Sequence, residues 1–357
     1  MTTELHAIAE QFAQQQTILG IEPLGNGLIN DTFLVSTSGQ SFVLQRINQQ
    51  VFPAPEQVMA NLQQLSQHLA QQASKLQFPA VLLTNVQQAF YRDSQQQIWR
   101  GLELISPAES REQLSNDDEA AQVGFALAHF HRLCSNLATE RLLDTLPGFH
   151  ITPQYFQQYQ VVINQALSFE NDQEFRFCRD FIASQTDKLS ILEDAKQRGE
   201  LVERVIHGDP KLNNFLFHPD SQTIISLIDL DTVKPGLVHY DIGDCLRSCC
   251  HLTDSNQFDL ARCEIILDSY LQEAGGFFSA ADYDYLYAAI WLIPFELGLR
   301  FFSDYLQGNR YFKIQHPQHN LQRAKAQFEL CADIERQQLQ IKTLISALMP
   351  RAIANPS

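Results

Sequence analysis

The sequence has little positive charge. It contains 25 Lys and Arg residues against 41 Asp and Glu residues, which gives a formal net charge of −16 at pH 7. Nucleic acids and anionic membranes are bound through basic surfaces, so this balance argues against both as partners. An anionic ligand such as a nucleotide would have to be neutralised locally, by a metal ion and a few well-placed cations.

The sequence also lacks the patterns of secreted, zinc-binding and membrane proteins. Its seven cysteines form no Cys-x-x-Cys pair, and the adjacent Cys249 and Cys250 are poorly placed for a mutual disulfide. The N-terminal segment has no signal-peptide pattern, so we expect reduced thiols and a cytoplasmic location. The longest apolar stretch, Leu286 to Phe295, is too short to span a bilayer and contains Pro294, so no membrane partner is expected.

The patterns that are present predict two lobes, for which 357 residues are sufficient. Residues 1–105 are predicted to form a β-rich lobe, and residues 106–357 a mainly helical one, because strand patterning stops near Ser106. Strands are predicted over 18–24, 32–37, 41–47, 81–84, 87–92 and 97–105. Helices are predicted over 4–16, 56–72, 117–133 with Asp117 or Asp118 as its cap, 154–197 as two helices, 256–274, 280–307 and 320–348.

The last predicted helix carries an apolar stripe, formed by Leu321, Ala324, Phe328, Ile341 and Leu348. Packing in the core of the second lobe explains this stripe better than a subunit interface does. We therefore expect a monomer or a weak homodimer.

The most informative segment runs from His207 to Asp231. Two short strands, 215–217 and 223–228, flank a turn at Pro219-Asp220-Ser221, so they are expected to form a hairpin. This hairpin would bring Asn214, which precedes it, close to Asp229, which follows it. Kinase-type phosphoryl transfer needs a carboxylate that accepts the proton of the attacking hydroxyl, and an amide oxygen and second carboxylate that bind Mg²⁺. Asp209, Asn214 and Asp229 match these three needs.

This segment resembles the His-Gly-Asp-x-x-x-x-Asn loop of the aminoglycoside phosphotransferase and choline kinase group. The similarity is closer to the bacterial N-acetylhexosamine 1-kinases, and it is carried by the segments Gly25-Asn26-Gly27-Leu28-Ile29-Asn30, Lys211-Leu212-Asn213-Asn214, Ile228-Asp229-Leu230-Asp231-Thr232, and Arg300-Phe301 with Asp304-Tyr305-Leu306. The resemblance implies an α+β, protein kinase-like bilobal fold, with a small antiparallel β-rich N-lobe and a large, mainly helical C-lobe. It also implies ATP and Mg²⁺ as cofactors.

On the nucleotide side, glycines in a strand connection allow the backbone to approach phosphates, which makes Gly25-Asn26-Gly27 the expected phosphate loop. The resemblance places the adenine at the backbone of Glu103 to Ile105. In kinases the third strand carries a phosphate-binding Lys, but here Gln45 occupies that position. Either Gln45 serves with Mg²⁺ and the glycine loop, or Arg46 is the cation; the two side chains should point to opposite faces of the strand.

On the acceptor side, Lys211 is a candidate for stabilising the transferred phosphate. Carboxylates and Arg donors recognise sugars, so Asp231 and Arg300 are predicted to bind a hexose; Arg300 is alternatively a helix-surface residue. Arg247 is expected to form a structural ion pair with Asp241 or Asp244.

The histidines are expected to be structural or ordinary residues. The resemblance gives His207 a structural role in orienting the loop. His129 and His131 should be ordinary surface or packing residues, and His316 with His319 lacks a third ligand for a metal site.

Together these patterns predict an ATP- and Mg²⁺-dependent kinase of a small hydroxylated metabolite. The preferred acceptor is the anomeric hydroxyl of N-acetylglucosamine or N-acetylgalactosamine. Other acceptors remain open, namely an aminoglycoside, a choline-like compound or an amino alcohol. Two further alternatives are a catalytically weak nucleotide sensor of the same fold, which the missing Lys suggests, and a metal-dependent phosphohydrolase.

Overall fold

The N-terminal part of the chain is an antiparallel sheet. The computed structural model describes residues 2–25, 29–164 and 172–354. The sheet strands are β1 (Ile18–Pro23), β2 (Asp31–Thr37), β3 (Phe42–Arg46), β4 (Val81–Leu82), β5 (Tyr91–Arg92) and β6 (Ile98–Glu103). They are ordered β1-β2-β3-β6-β4, with β5 also paired to β6. All six predicted strands are therefore confirmed, although β4 and β5 are much shorter than their patterns suggested.

Alternation along β3 divides its side chains between two environments. Phe42 and Leu44 face α1 (Thr2–Glu10) and the residues after it, in a small core completed by Ile8, Ala9, Phe12, Ala13, Val35 and Trp99. Arg46 is on that face too, with its guanidinium 5.8 Å from the centre of the Trp99 ring. Gln45 projects to the opposite face, as the two-residue period of a strand requires.

The helix α2 (Pro55–Leu69) follows the third strand in sequence, but it packs with the larger core. Its buried face, Val58, Leu62, Leu65 and Leu69, belongs to the same apolar cluster as the strands of the catalytic hairpin. The division of the chain at residue 105 stays a prediction. The helix α2 precedes that boundary in sequence, but its buried face packs in the core of the larger, helical part.

The rest of the chain is mainly helical. The helices are α3 (Asp117–Cys134), α4 (Thr152–Ile163), α5 (Gln173–Ser184), α6 (Ile191–Gln197), α7 (Val238–Cys250), α8 (Leu260–Ala274), α9 (Ala280–Asp284), α10 (Leu286–Leu306), α11 (His319–Arg336) and α12 (Gln338–Ala354). Short strands lie between them: β7 (Glu109–Ser110), β8 (Arg204–Ile206), β9 (Phe215–Phe217), β10 (Ile224–Leu227), β11 (Lys234–Gly236), β12 (His251–Leu252) and β13 (Gln257–Phe258). A small sheet lobe and a large helical lobe confirm the predicted α+β fold.

Several helix predictions were wrong in detail. The cap of α3 is Asn116, whose side chain accepts a hydrogen bond from the Glu119 amide, so Asp117 and Asp118 lie in the first turn instead. The regions 154–197, 280–307 and 320–348 each contain more helices than predicted. The stripe that we assigned to the core is nevertheless buried, at Leu321, Ala324, Phe328, Ile341 and Leu348.

The helix α10 forms the centre of the large lobe. Among the described residues it is the one helix long and apolar enough to cross a bilayer, but most of that stretch is buried inside the protein, as in a core helix. It extends eleven residues beyond Phe295 and includes Pro294 in its interior. All seven cysteines are buried, and none of them is paired in a disulfide.

Candidate active site

The open end of the β9–β10 hairpin brings Asn214 and Asp229 together. Leu227 pairs with Phe215 in the ladder, and the Ile228 amide donates to the Asn214 carbonyl at 2.9 Å. Asp229 then adopts a left-handed conformation, with φ of 63°, and its side chain is exposed. The chain therefore turns at Asp229, just after the end of the strand predicted over 223–228.

The loop before the hairpin is held by the buried carboxylate of Asp241 on α7. Its oxygens accept from the amides of His207 at 2.6 Å and Gly208 at 2.8 Å, and His131 of α3 approaches the same carboxylate at 2.8 Å. Gly208 has φ of 87°, and a Cβ there would lie 2.6 Å from the Thr232 carbonyl oxygen, so only glycine fits. Two helices and a backbone constraint thus fix the loop.

Asp209 lies at the centre of this loop. Its carboxylate is 2.5 Å from Lys211 Nζ, and its carbonyl accepts from Asn214 Nδ2 at 2.6 Å. The Asp209 amide donates to His207 Nδ1 at 3.2 Å, while the other ring nitrogen of His207 contacts the Ile228 carbonyl at 2.9 Å. These contacts match the structural role expected of His207. Because the amide nitrogen of Asn214 is used, its oxygen Oδ1 is the atom left to bind a cation.

Three carboxylates dominate the electrostatics here. The surrounding protein desolvates Asp229 in spite of its exposed position, and with the charges of Asp231 and Asp209 this raises the pKa of Asp229 to about 6. Lys211 and Arg100 act in the opposite direction and keep that pKa from rising further. Hard oxygen donors in excess over cations suit a divalent cation such as Mg²⁺.

We expected Asp231 to bind substrate hydroxyls, but its carboxylate contacts protein side chains. Its carboxylate is buried, with Oδ1 2.6 Å from Nη1 of Arg100 on β6 and Oδ2 accepting from Asn30 Nδ2 at 2.8 Å. Gln45 Oε1 in turn accepts from Nε and Nη2 of Arg100, at 3.0 and 2.7 Å. Sequence reasoning missed Arg100 and Asn30. The available signal was a charged residue in the middle of the apolar strand Ile98–Glu103.

Arg300 lies on α10 with only 15% of its side chain exposed, so it is not an open helix-surface residue. Four aromatic rings surround its guanidinium, at centroid distances of 5.1 to 6.0 Å: Phe149, Tyr155, Tyr311 and Phe312. Burial opposes its charge, but Tyr155, Glu296 and Asp209 prevail and hold the pKa of Arg300 above its ordinary value. Asp209 of the loop before the hairpin is thus among the charges that act on Arg300.

A buried histidine connects this wall to the loop. His150 Nε2 is 2.8 Å from the Gly208 carbonyl oxygen, and Nδ1 is 3.2 Å from Glu296, which also approaches Arg300 at 3.9 Å. Burial opposes a charge on His150, but Glu296 outweighs it and raises the pKa of the imidazole. Sequence reasoning did not identify His150 or Glu296, because nothing in their local patterns distinguishes them from other helical or loop residues.

The remaining nucleotide-side predictions are described in part. Gly25 is exposed with φ of 69°, whereas Asn26 and Gly27 lie outside the described residues. Glu103 is half-buried at the end of β6, and its amide already donates to the Ala80 carbonyl at 2.8 Å. Ile105 is buried just beyond it.

Arg46 forms an ion pair with Asp31 on the α1 face of the sheet, away from the catalytic loop. The alternative that Arg46 is the cation that binds the nucleotide phosphates is therefore wrong, because its side chain points away from the site.

Other charged groups have structural partners. Arg247 pairs with Asp244 at 2.8 Å, which confirms the predicted ion pair. His129 and His131 are both fully buried and contact Glu273 and Asp241, so the surface option for them was wrong. Within the part of the chain that the structure describes, no cluster of three His, Cys, Asp or Glu residues could hold a metal ion.

Comparison with known proteins now gives the family. The model of the phosphotransferase enzyme family matches residues 20–275, well over half of the chain and including the whole hairpin. A microcompartment-associated aminopropanol kinase superposes with a TM-score of 0.67 at 17% identity, covering 94% of this chain and 98% of that one. An aminoglycoside phosphotransferase from Alicyclobacillus acidocaldarius superposes with a TM-score of 0.66 at 19% identity, covering 95% and 96%.

A third solved structure contains a nucleotide analogue and a cation. Amicoumacin kinase hAmiN in complex with AMP-PNP, Ca²⁺ and Ami superposes with a TM-score of 0.57 at 14% identity, covering 92% of this chain and 96% of that one. At these identities the superpositions establish a shared kinase-like fold. The family model rests on the sequence itself, and through it this chain belongs to the phosphotransferase enzyme family.

Proposed function

We propose that this protein is an ATP- and Mg²⁺-dependent kinase that phosphorylates the anomeric hydroxyl of an N-acetylhexosamine, giving the sugar 1-phosphate. The observation that carries the proposal is the arrangement at the open end of one hairpin. Asn214 and Asp229 lie there beside the Asp209–Lys211 pair. In this proposal, Arg300 and the aromatic rings around it form the wall on the acceptor side.

The residues of the loop divide the chemistry between them. Asp209 orients the acceptor hydroxyl and takes its proton, while Lys211, next to it, stabilises charge on the transferred phosphate. Asn214 through Oδ1 and Asp229 through its carboxylate would hold Mg²⁺. When bound, Mg²⁺ supplies neutralisation of the nucleotide phosphates, which an acidic protein needs. Most of the rate acceleration should come from positioning and electrostatic stabilisation.

The nucleotide would lie against the glycine connection after β1 and the segment after β6. Gly25, with its positive φ, leads into the phosphate loop, in which Asn26 and Gly27 are the proposed contacts. The Glu103 amide is already used by Ala80, so the backbone of Ile105 is the better partner for the adenine. Gln45 contributes indirectly, because its oxygen is engaged by Arg100.

The acceptor wall favours a sugar over a cationic acceptor. The carboxylates described around it already have cationic partners: Asp209 with Lys211, Asp244 with Arg247, and Glu296 with His150 and Arg300. A substrate ammonium group would therefore meet the largely buried guanidinium of Arg300, and each of these carboxylates is already paired with a cation. Aromatic rings stack on the apolar face of a pyranose, and a guanidinium donates to its hydroxyl and N-acetyl oxygens.

An amino alcohol or an aminoglycoside is the second candidate acceptor. The aminopropanol kinase with which this chain superposes supports it at the level of the fold. A cationic acceptor requires the Arg300 wall to rearrange, and this requirement makes the two candidates separable by experiment.

The test is a coupled assay of ADP formation with ATP, Mg²⁺ and a panel of acceptors. We expect turnover with N-acetylglucosamine or N-acetylgalactosamine, and none with their methyl glycosides, in which the anomeric hydroxyl is blocked. Turnover with 1-amino-2-propanol, choline or kanamycin alone would overturn the sugar assignment. Nucleotide binding without turnover of any acceptor would favour the sensor, and phosphate release from sugar phosphates without ATP would favour the phosphohydrolase.

A further inference from the structure

The inference concerns a buried polar cluster between the sheet and the catalytic hairpin. Its members are Arg100 of β6, Gln45 of β3, Asp231 after the hairpin, and Asn30 before β2. The side chains of Arg100 and Asp231 are each only 2% exposed, and their Nη1 and Oδ1 atoms are 2.6 Å apart. We refer to these four residues as the interlobe cluster.

We infer that the interlobe cluster positions Asp229: Arg100 binds Asp231 and thereby holds the turn that carries Asp229 against the sheet. In the same inference, position 45 is a glutamine because it must accept hydrogen bonds from Arg100. The inference rests on the proposed function, in which Asp229 is a metal ligand. It assigns Arg100, Gln45 and Asp231 as positioning residues, with no direct contact to nucleotide or acceptor.

The identity of residue 45 follows from its contact with Arg100. Gln45 and Arg100 are cross-strand partners in the β3–β6 ladder. The Gln45 oxygen accepts from two nitrogens of Arg100, and its nitrogen donates to Thr32 Oγ1 at 3.1 Å. Both ends of the amide are thus occupied. A Lys at this position would place an ammonium against a buried guanidinium, and like charges in contact are unfavourable there.

The charge of Arg100 requires Asp231. A buried guanidinium is stable only when an opposite charge compensates it, and loss of one partner leaves the other charge buried and unpaired. Nη1 of Arg100 and Oδ1 of Asp231 are close but lack the alignment of a hydrogen bond, so charge rather than donor geometry joins them. Asn30 donates to the second oxygen, and its own Oδ1 accepts from the Asn48 amide at 3.0 Å. Both oxygens of Asp231 are therefore used inside the cluster.

A single turn connects the cluster to the proposed metal ligand. Asp229 starts a single helical turn, Leu230–Thr232, so Asp231 is part of the same rigid unit. Thr232 donates from Oγ1 to the His207 carbonyl at 2.8 Å, which ties that turn to the catalytic loop. The turn is consequently attached on one side to the loop of Asp209 and on the other to the sheet. Partners behind a metal ligand orient it and typically change metal affinity or activity by about 10- to 100-fold when removed.

The experiment measures the Mg²⁺ dependence of ADP binding and of turnover in Arg100→Gln and Asp231→Asn. We expect each variant to need about 10- to 100-fold more Mg²⁺ for half-maximal ADP binding and turnover, with an unchanged KM for the acceptor. The double variant should need no more Mg²⁺ than the more impaired of the two single variants, because both substitutions disrupt the same unit. Arg46→Gln is the matched control: Arg46 also pairs with an aspartate on this sheet, but on its other face, so its Mg²⁺ dependence should not change.

Position 45 provides a test that does not depend on the stability of the charged variants. If Gln45 merely lacked the charge of the kinase lysine, Gln45→Lys would bind Mg-ADP more tightly. We expect it to bind more weakly, and Gln45→Leu, which leaves the charge pair intact, to be affected less. Tighter binding by Gln45→Lys, or an unchanged Mg²⁺ dependence in folded Arg100→Gln, would overturn the inference.

Wild-type protein separates this failure from failure of the proposed function. The thermal unfolding temperature can be measured as a function of Mg-ADP concentration, and this measurement needs no acceptor. If the wild type gains no stability from Mg-ADP, the nucleotide site itself is wrong. If it does gain stability and Arg100→Gln gains the same amount at the same Mg²⁺ concentration, only the role of the interlobe cluster is wrong.

Discussion

The proposed metal side and the proposed acceptor side of the site are assembled in different ways. Asn214 and Asp229 are the two ends of a single hairpin, so backbone hydrogen bonds between β9 and β10 bring them together. Arg300 comes from α10, and the rings around it come from the loop before α4, from α4 itself, and from the loop after α10. The first arrangement follows from local pairing, and the second needs the packed helical lobe.

This difference separates chemistry from specificity. The groups proposed to transfer phosphate are close in sequence, and the buried carboxylate of Asp241 anchors their loop by accepting hydrogen bonds from two of its amides. The groups that face the acceptor lie on loops and a helix whose relative positions depend on distant contacts. Proteins that share this hairpin can therefore accept different substrates, because loops and helix surfaces change more readily in evolution than a hydrogen-bonded strand pair.

The largest effect should come from Asp209→Asn on the metal side. Loss of a positioned general base typically costs about 10²- to 10⁴-fold in rate, so turnover should fall by that amount while Mg-ADP binding and thermal stability are retained. Single-turnover rates measure the loss. Asp220→Asn, an exposed aspartate in the turn of the same hairpin, is the control and should have no effect. Retained activity in Asp209→Asn would show that the assigned role is wrong.

A smaller effect is expected on the acceptor side, from Arg300→Met. Hydrogen bonds from a charged group contribute about 1.5–3 kcal/mol, so kcat/KM for the sugar should fall roughly 10- to 100-fold, with an unchanged KM for ATP. The exposed Arg310 on the following loop provides a matched control, Arg310→Met. Arg300→Glu sharpens the comparison, because it should shift preference toward cationic amino alcohols. Equal loss of ATP and acceptor affinity would contradict the separation of the two sides.

The smallest effect concerns pH. The pKa of Asp229 is raised to about 6 in the free protein, so the carboxylate that binds the cation is lost as pH falls through that value. The Mg²⁺ affinity of the ADP complex should be constant above about pH 7 and fall about tenfold per unit below pH 6. Asp229→Asn should bind Mg²⁺ weakly with no such dependence. Dependence on pH near 6 in the acceptor KM alone would assign the titrating group to the other side.

Much of the fold was predictable because its signals are local. The strands of the sheet alternate in pattern, and all six were located, although β4 and β5 shortened to two residues. Most helices were located from their apolar spacing, but α7 was not predicted, and divisions were missed at sites such as Gln337, between α11 and α12. Such breaks depend on where two helices must turn to pack, which the spacing of apolar residues along one helix does not encode.

The site was predictable to the extent that its residues belong to one segment. Asn214 and Asp229 were expected to be close, and the hairpin ladder brings their positions together. Asp231 was expected on the acceptor side, but Arg100 and Asn30 engage it, and neither contact could be foreseen from a partner more than a hundred residues away. The same applies to Arg300, whose two alternatives were decided only by the rings packed around it.

The sequence alone determined the strand periods, the turn that pairs β9 with β10, and the order of the oxygen-bearing residues along the hairpin, since each depends on neighbours a few positions apart. Only the tertiary structure decided which cation compensates Asp231, which carboxylate anchors the catalytic loop, and what surrounds Arg300. Buried charges must be paired wherever packing brings an opposite charge within reach, and that choice depends on the folded arrangement of distant segments.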